Sequence, residues 1–268
     1  MEPYPHRARK RFGQNFLVDG HYIGRIVDAI APLPGQHLVE IGPGLGALTR
    51  ALLAALDANG GPHQGLDVIE IDRDLAARLR ADWQHAPVRI HEADALGFDF
   101  ARFPAPLRIV GNLPYNISTP ILFHLCAFEE RLADMTFMLQ REVVERMTAR
   151  PGEAGRGRLS VMLQYRFHVE RCFDVPPRAF RPVPAVDSSV VRLTPLGAKR
   201  LHPKDEAMFA AIVTAAFTQR RKMIRRSLAH LIDERSLVSL GIDPVVRAEA
   251  LSCAEFVTIA DEVQRVQG

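Results

Sequence analysis

Between His37 and Gln140 the sequence alternates short apolar runs with stretches of helical spacing, and no other feature narrows the possible folds as much. "HLVEIG" reads as a strand and "ALTRALLAAL" as a helix; "LDVIEID" and "RDLAARLRADW" repeat the pair. "VRIHEAD", "LRIVGN" and "MTFMLQ" are further strands, and "TPILFHLCAF" and "REVVERMTA" fill the helical intervals. Strands separated by helices pair in parallel, and the crossover helices cover both faces of the sheet. "RFHVERCFDV" and "SSVVRLTP" follow with no long helix between them, which suits an antiparallel pair at one edge and brings the expected sheet to seven strands. "PLGAKRLHP" reads as a linker. Beyond it only helical spacing remains, in "DEAMFAAIVTAAFTQRRKMIRRSLAHLI", "PVVRAEAL" and "AEFVTIADEVQRV". The expected division is an α/β domain over residues 1–195 and a small all-helical domain over 196–268.

The first strand runs into the first helix through "EIGPGLGALT". Gly42 and Gly44 let the backbone turn tightly and approach a ligand. In an open parallel sheet, ligands sit beyond the carboxyl ends of the central strands. Glu70 ends the second strand, where a carboxylate can accept from both ribose hydroxyls. Asp94 ends the third, where one can accept from an adenine amino group. The bland reading of either residue alone is solvation or helix capping. Dinucleotide enzymes use G-x-G-x-x-G; here the glycines at 42, 44 and 46 give G-x-G-x-G, wrong for a pyrophosphate and suited to a phosphate-free cofactor. S-adenosylmethionine fits: it carries adenosine, no phosphate and an electrophilic methyl group. Asn15 and Leu17, in "RFGQNFL", either cover the cofactor's amino-acid end or belong to an arm packing on the core.

"VGNLPYNIST" closes the fourth strand. An exocyclic adenine amine is a poor nucleophile because its lone pair is delocalised into the ring. The Asn112 side-chain oxygen and the Leu113 carbonyl can accept its two N–H bonds and aim the lone pair at a methyl group. Pro114 stiffens the turn, and Tyr115 offers a face for stacking the base. Without the adenosine set before it, the same motif would read as turn punctuation. A base in folded nucleic acid must leave its stack to reach such a pocket. Phe180, in the proline-rich "VPPRAFRPVPAVDSS", is either a second aromatic for that base or a core residue.

Net charge is only +3, but it is unevenly spread. Asp67–Asp99 holds eight acidic residues against four basic; Arg178–Lys204 holds six basic against one acidic; Arg220–Arg226 holds five basic and none acidic. Arg220, Arg221, Lys222 and Arg225 are candidate phosphate contacts along a helix face and flank. No apolar run approaches the roughly 20 residues of a membrane span. The N-terminus lacks the apolar middle of a secretory signal. Three scattered cysteines fit neither a disulfide framework nor a zinc site, so no metal is expected and the cytoplasm is the expected compartment.

These motifs, together with "VIEIDRDLA", "EADAL", "FMLQREVVERM", "RLSVMLQY" and "RRKMIRRSL", resemble in order the small-subunit ribosomal RNA adenine dimethyltransferases, from about Arg9 to the C-terminal helices. The resemblance implies a Rossmann-like S-adenosylmethionine-dependent methyltransferase fold. It also implies dimethylation of two adjacent adenosines near the 3′ end of small-subunit (16S) rRNA, and a monomer acting on the assembling 30S particle. It assigns Asn15, Leu17, Gly42, Glu70, Asp94 and Asn112 to the cofactor, and Asn112, Leu113 and Tyr115 to the adenine. The macrolide-resistance methyltransferases of large-subunit rRNA share N-x-P-Y-N-I-S-T, but "GPGLGALT" and "VPPRAFRPVPAVDSS" are closer to the small-subunit family. A non-catalytic assembly factor on the same fold is disfavoured by the intact Glu70, Asp94 and Asn112. One departure is the glycine-rich "ALDANGGPHQGLDVIEID", longer than the family pattern and expected to bulge into solvent while leaving Glu70 in place.

Overall fold

The structure is a computed structural model that describes residues 14–59 and 65–267. The basic N-terminal stretch through residue 13 and the glycine-rich insert at 60–64 lie outside the described residues.

Seven strands form one sheet. In chain order the strands are β1 (Phe16–Leu17), β2 (His37–Ile41), β3 (Leu66–Glu70), β4 (Val88–Glu92), β5 (Leu107–Asn112), β6 (Leu132–Gln140), β7 (Phe167–Val175), β8 (Phe180–Arg181) and β9 (Ser188–Pro195). The sheet order is β4-β3-β2-β5-β6-β9-β7. β2, β3, β4, β5 and β6 pair in parallel and β9 runs antiparallel to β6. Every residue of β2 and β3 is buried, as strands covered on both faces require. β1 and β8 form a separate antiparallel clasp, Phe16 facing Arg181 and Leu17 facing Phe180. Helices α1 (Gly20–Ile30), α2 (Ala47–Ala58), α3 (Arg73–Asp82) and α4 (Ser118–Cys126) supply the layers. The alternation does not announce α1. Asp19 caps it by accepting from the His21 amide at 2.9 Å.

Two ionic clusters, each centred on a buried group, hold these elements together. Arg108 on β5 makes a bidentate pair with Asp134 on β6 (2.8 and 2.7 Å) and donates to the carbonyls of Ile30 and Ala31 at the end of α1. A cation there satisfies orphan helix carbonyls and meets the negative end of the helix dipole. Asp67 on β3 is fully buried. It accepts from Arg89 (3.0 and 2.6 Å) and lies 2.7 Å from His91 Nε2 and 3.0 Å from His37 Nε2. Burial opposes its ionisation, but bonds from His37, Arg89 and His91 outweigh that and hold the carboxyl far below the usual range. A depressed carboxyl stabilises the fold above its unfolded value, near 4, and that contribution fades as pH falls below it. Asp67→Asn should therefore cost about 1–2 kcal/mol at pH 7, because it weakens the charge-assisted bond from Arg89, whose own side chain is half exposed and stays hydrated. Its deficit against the wild type should shrink between about pH 4 and pH 3. Denaturant unfolding at each pH measures both.

The chain divides into two compact units: residues 1–144 with 170–195, and residues 145–169 with 196–268. The chain crosses between them after residues 144, 169 and 195. Helix α5 (Arg141–Thr148) leads into the excursion 145–169, which carries α6 (Arg158–Gln164) and groups with the C-terminal helices. Arg156, 1% exposed, explains why. Its guanidinium donates to the Leu251 carbonyl from two nitrogens (3.2 and 3.1 Å), to Ala149 O (2.9 Å) and to Gln164 Oε1 (2.8 Å). Tyr165 donates to Glu206 at 2.8 Å and packs on Phe209, with ring centroids 4.3 Å apart. The remaining helices of this unit are α7 (Glu206–Thr218), α8 (Ile224–Ser227), α9 (Glu234–Ser239) and α10 (Cys253–Gln267). No described helix is long and apolar enough to cross a membrane.

The helical spacing expected to run on through the basic cluster is interrupted. α7 ends at Thr218, residues 219–222 turn, and a bond from Ile224 N to Val246 O (2.7 Å) anchors the next helix. Arg220, Arg221 and Lys222 are thus exposed on a turn rather than along a helix face. Arg225, on α8, pairs with Glu234 at 3.0 Å.

Candidate active site

One pocket opens at the carboxyl ends of β2, β3, β4 and β5, and its lining spans residues 14 to 138. It includes Asn15, Leu17, Gly42, Gly44, Glu70, Asp94, Asn112, Leu113 and Tyr115. Residues spread over some hundred positions meet here because each parallel strand ends on the same side.

The glycine turn after β2 forms one wall. Gly44 has φ +57°, and a Cβ there would stand 2.9 Å from the Phe16 ring, so only glycine lets the arm from β1 close over the turn. Glu70 is nearly buried. Its two oxygens accept from Gly44 N (3.2 Å) and Asp72 N (2.9 Å), which locks the end of β3 to the turn. Burial raises its pKa, and the Asp72 and Gly44 amides only partly offset that. Asp94 is exposed. One oxygen caps the turn that follows, accepting from Leu96 N at 2.9 Å, so capping and pocket lining coexist in one side chain.

Several bonds hold the loop after β5. Asn112 Nδ2 donates to the Asn15 carbonyl at 3.0 Å, which turns its Oδ1 away from that carbonyl. Leu113 N donates to Met138 O on β6 (3.2 Å). The Pro114 carbonyl accepts from Ser118 Oγ (3.0 Å) and Ile117 N (3.1 Å). The Tyr115 hydroxyl lies 3.1 Å from Ser188 Oγ. Burial pushes the Tyr115 phenol above its ordinary pKa, so it stays protonated at neutral pH. Gln14 donates to Asp72 at 3.1 Å, so the arm preceding β1 touches both the Glu70 side of the pocket and, through Asn15, the Asn112 side.

One expectation changes. Phe180 is not at the pocket. It is 1% exposed and belongs to the core cluster with Leu17, Ile26 and Val190, because its pairing with Leu17 in the β1–β8 clasp turns the ring inward. The basic residues 220–222 and 225, expected at RNA phosphates rather than in the pocket, are outside the lining. One pocket residue escapes the sequence reading. Glu40, buried in β2, bonds Thr49 Oγ1 at 2.5 Å, and burial pushes its pKa up to about 7 despite that bond. Its signal was a lone carboxylate inside an otherwise apolar strand. Glu40, Glu70 and Asp94 line the pocket, and among the described residues the lining contains no Lys, Arg or His.

A parallel sheet in this order, whose glycine turn and strand ends converge on one acidic pocket, is the fold of solved methyltransferases. A dimethyladenosine transferase from Plasmodium falciparum superposes with a TM-score of 0.79 at 22% identity, covering 93% of this chain and 98% of that one. The 23S rRNA methyltransferase ErmE superposes at 0.71 and 28%, covering 93% and 100%. Within that class, the family model described as ribosomal RNA adenine dimethylase matches residues 5–265, and the chain belongs to this family. The proteins called ribosomal RNA small subunit methyltransferase A of Aromatoleum aromaticum and Thiobacillus denitrificans are 57% and 56% identical. The alignments cover 96% and 95% of this chain, and 95% and 97% of theirs.

Proposed function

We propose that the protein transfers methyl groups from S-adenosylmethionine to the exocyclic amines of two adjacent adenosines near the 3′ end of small-subunit rRNA. The observation that carries this reading is the pocket itself: among the described residues its lining holds Glu40, Glu70 and Asp94, no cationic side chain, and the Asn112–Tyr115 loop. Such a lining repels a phosphate-bearing cofactor and suits a cationic one. When bound, S-adenosylmethionine supplies an electrophilic methyl group on a positive sulfur. Gly42 and Gly44 leave room along the turn, Glu70 accepts from ribose hydroxyls, and the second oxygen of Asp94 accepts from the adenine amino group. Leu17 and Asn15 close the pocket from the arm.

The Asn112 side-chain oxygen and the Leu113 carbonyl hold the target amine, and Tyr115 stacks on its ring. The loop acts by orientation, since none of its groups titrates near neutrality as a base. Arg220, Arg221, Lys222 and Arg225 of the helical unit contact RNA phosphates. The same reading has the protein act as a monomer, in the cytoplasm, on the assembling 30S particle. ErmE supports a large-subunit target only at 28% identity, against 52–57% for the small-subunit relatives. Mass spectrometry of both rRNAs after incubation with labelled cofactor should find dimethyladenosine in the small-subunit rRNA alone. Label confined to large-subunit rRNA would overturn the assignment.

A further inference from the structure

We infer that Ser188 is a positioning residue for methyl transfer: its hydroxyl holds the Tyr115 phenol and so sets the plane of the ring on which the target base stacks. The inference rests on the reading of Tyr115 as the stacking face. Ser188 opens β9, which runs antiparallel to β6 with Ser188 opposite Gln140, while Asn112 at the end of β5 lies opposite Met138. The start of β9 therefore stands beside the mouth formed by the end of β5. Ser188 is 1% exposed, and its Oγ lies 3.1 Å from the Tyr115 hydroxyl. The approach of the chain into β9 is itself fixed, by Arg141 N donating to Asp187 O at 3.0 Å and by the Arg141–Asp187 ion pair at 2.8 Å.

Tyr115 needs such a tether. Asn112, Leu113 and Pro114 are held through their amides and carbonyls, but those bonds leave the Tyr115 ring free to turn about its own side-chain torsions. A bond at the far end of the phenol removes that freedom before the base arrives. Preorganisation of this kind acts on the rate of transfer, because the amine must meet its methyl donor within a narrow range of angle and distance. RNA affinity comes mostly from phosphate contacts and does not depend on it.

The test is a cycle of Ser188→Ala, Tyr115→Phe and the double variant on the full chain, with small-subunit rRNA and S-adenosylmethionine. Each single variant should lower kcat about 3- to 10-fold, the worth of one neutral hydrogen bond. KM for RNA and cofactor affinity should stay at wild-type values. The double variant should be no slower than Tyr115→Phe, since the bond is already gone. Multiplying losses, a fall in cofactor affinity with kcat unchanged, or a Tyr115→Phe variant at wild-type kcat would each overturn the inference. If Ser188→Ala does not fold, Ser188→Thr keeps the hydroxyl and should retain most of kcat while Tyr115→Phe loses it; equal losses would overturn the inference. A wild-type protein that left small-subunit rRNA unmethylated would remove the underlying assignment. An active wild type beside a fully active Tyr115→Phe removes the tether alone.

Discussion

Asn112→Ala should slow methyl transfer by roughly 10²–10³-fold, the cost typical of removing one preorganised polar group aimed at a reacting centre. Asn112 sits where two demands meet. Its Nδ2 donates to the Asn15 carbonyl at 3.0 Å, which fixes the amide plane, and the opposite oxygen is then free to accept from the target amine. Alanine loses the acceptor and releases the arm together. The arm keeps its bond from Gln14 to Asp72 and its clasp with β8, so cofactor affinity should fall only several-fold. Asn112→Asp keeps an acceptor but sets a carboxylate against the Asn15 carbonyl, and should be nearly as slow. Single-turnover rates at saturating RNA, beside equilibrium cofactor titration, separate the two effects. An alanine variant at wild-type rate would contradict the role given to Asn112.

Reversing Arg220, Arg221 and Lys222 together to Glu should weaken RNA binding by roughly 10²–10³-fold at physiological salt. Each phosphate contact contributes about 0.7–0.9 to the slope of log affinity against log salt, so the slope should become shallower by about two to three. The three side chains are exposed on the turn after α7 and make no contribution to the pocket lining, so cofactor affinity and thermal stability should hold. Equal loss of RNA and cofactor binding, or an unchanged salt slope, would argue against an electrostatic RNA contact. Arg225 is left out because it also pairs with Glu234, and its reversal would disturb α9.

The parts of the molecule legible in the sequence are those that local periodicity and strand ends determine. Glu70 and Asn112 could be placed because each ends an apolar run, and Asp94 because it follows a strand of alternating pattern; a parallel sheet brings such positions together without long-range information. Phe180 could not be placed. Its direction depends on pairing with Leu17, far away in the chain, and nothing in the proline-rich segment encodes that register. The grouping of residues 145–169 with the C-terminal helices was hidden for the same reason, since it depends on where Arg156 finds carbonyls. Glu40 was visible as a residue but not as part of the pocket; its burial and its bond to Thr49 emerge only once α2 packs on β2.

That grouping bears on how chimaeras between relatives must be made. A graft that exchanges only the stretch after residue 195 would deliver helices whose Leu251 carbonyl expects a guanidinium from 95 positions upstream, and a Glu206 that expects Tyr165. Donor sequence has to be spliced in at two places, or the imported helices arrive without the side chains that complete them.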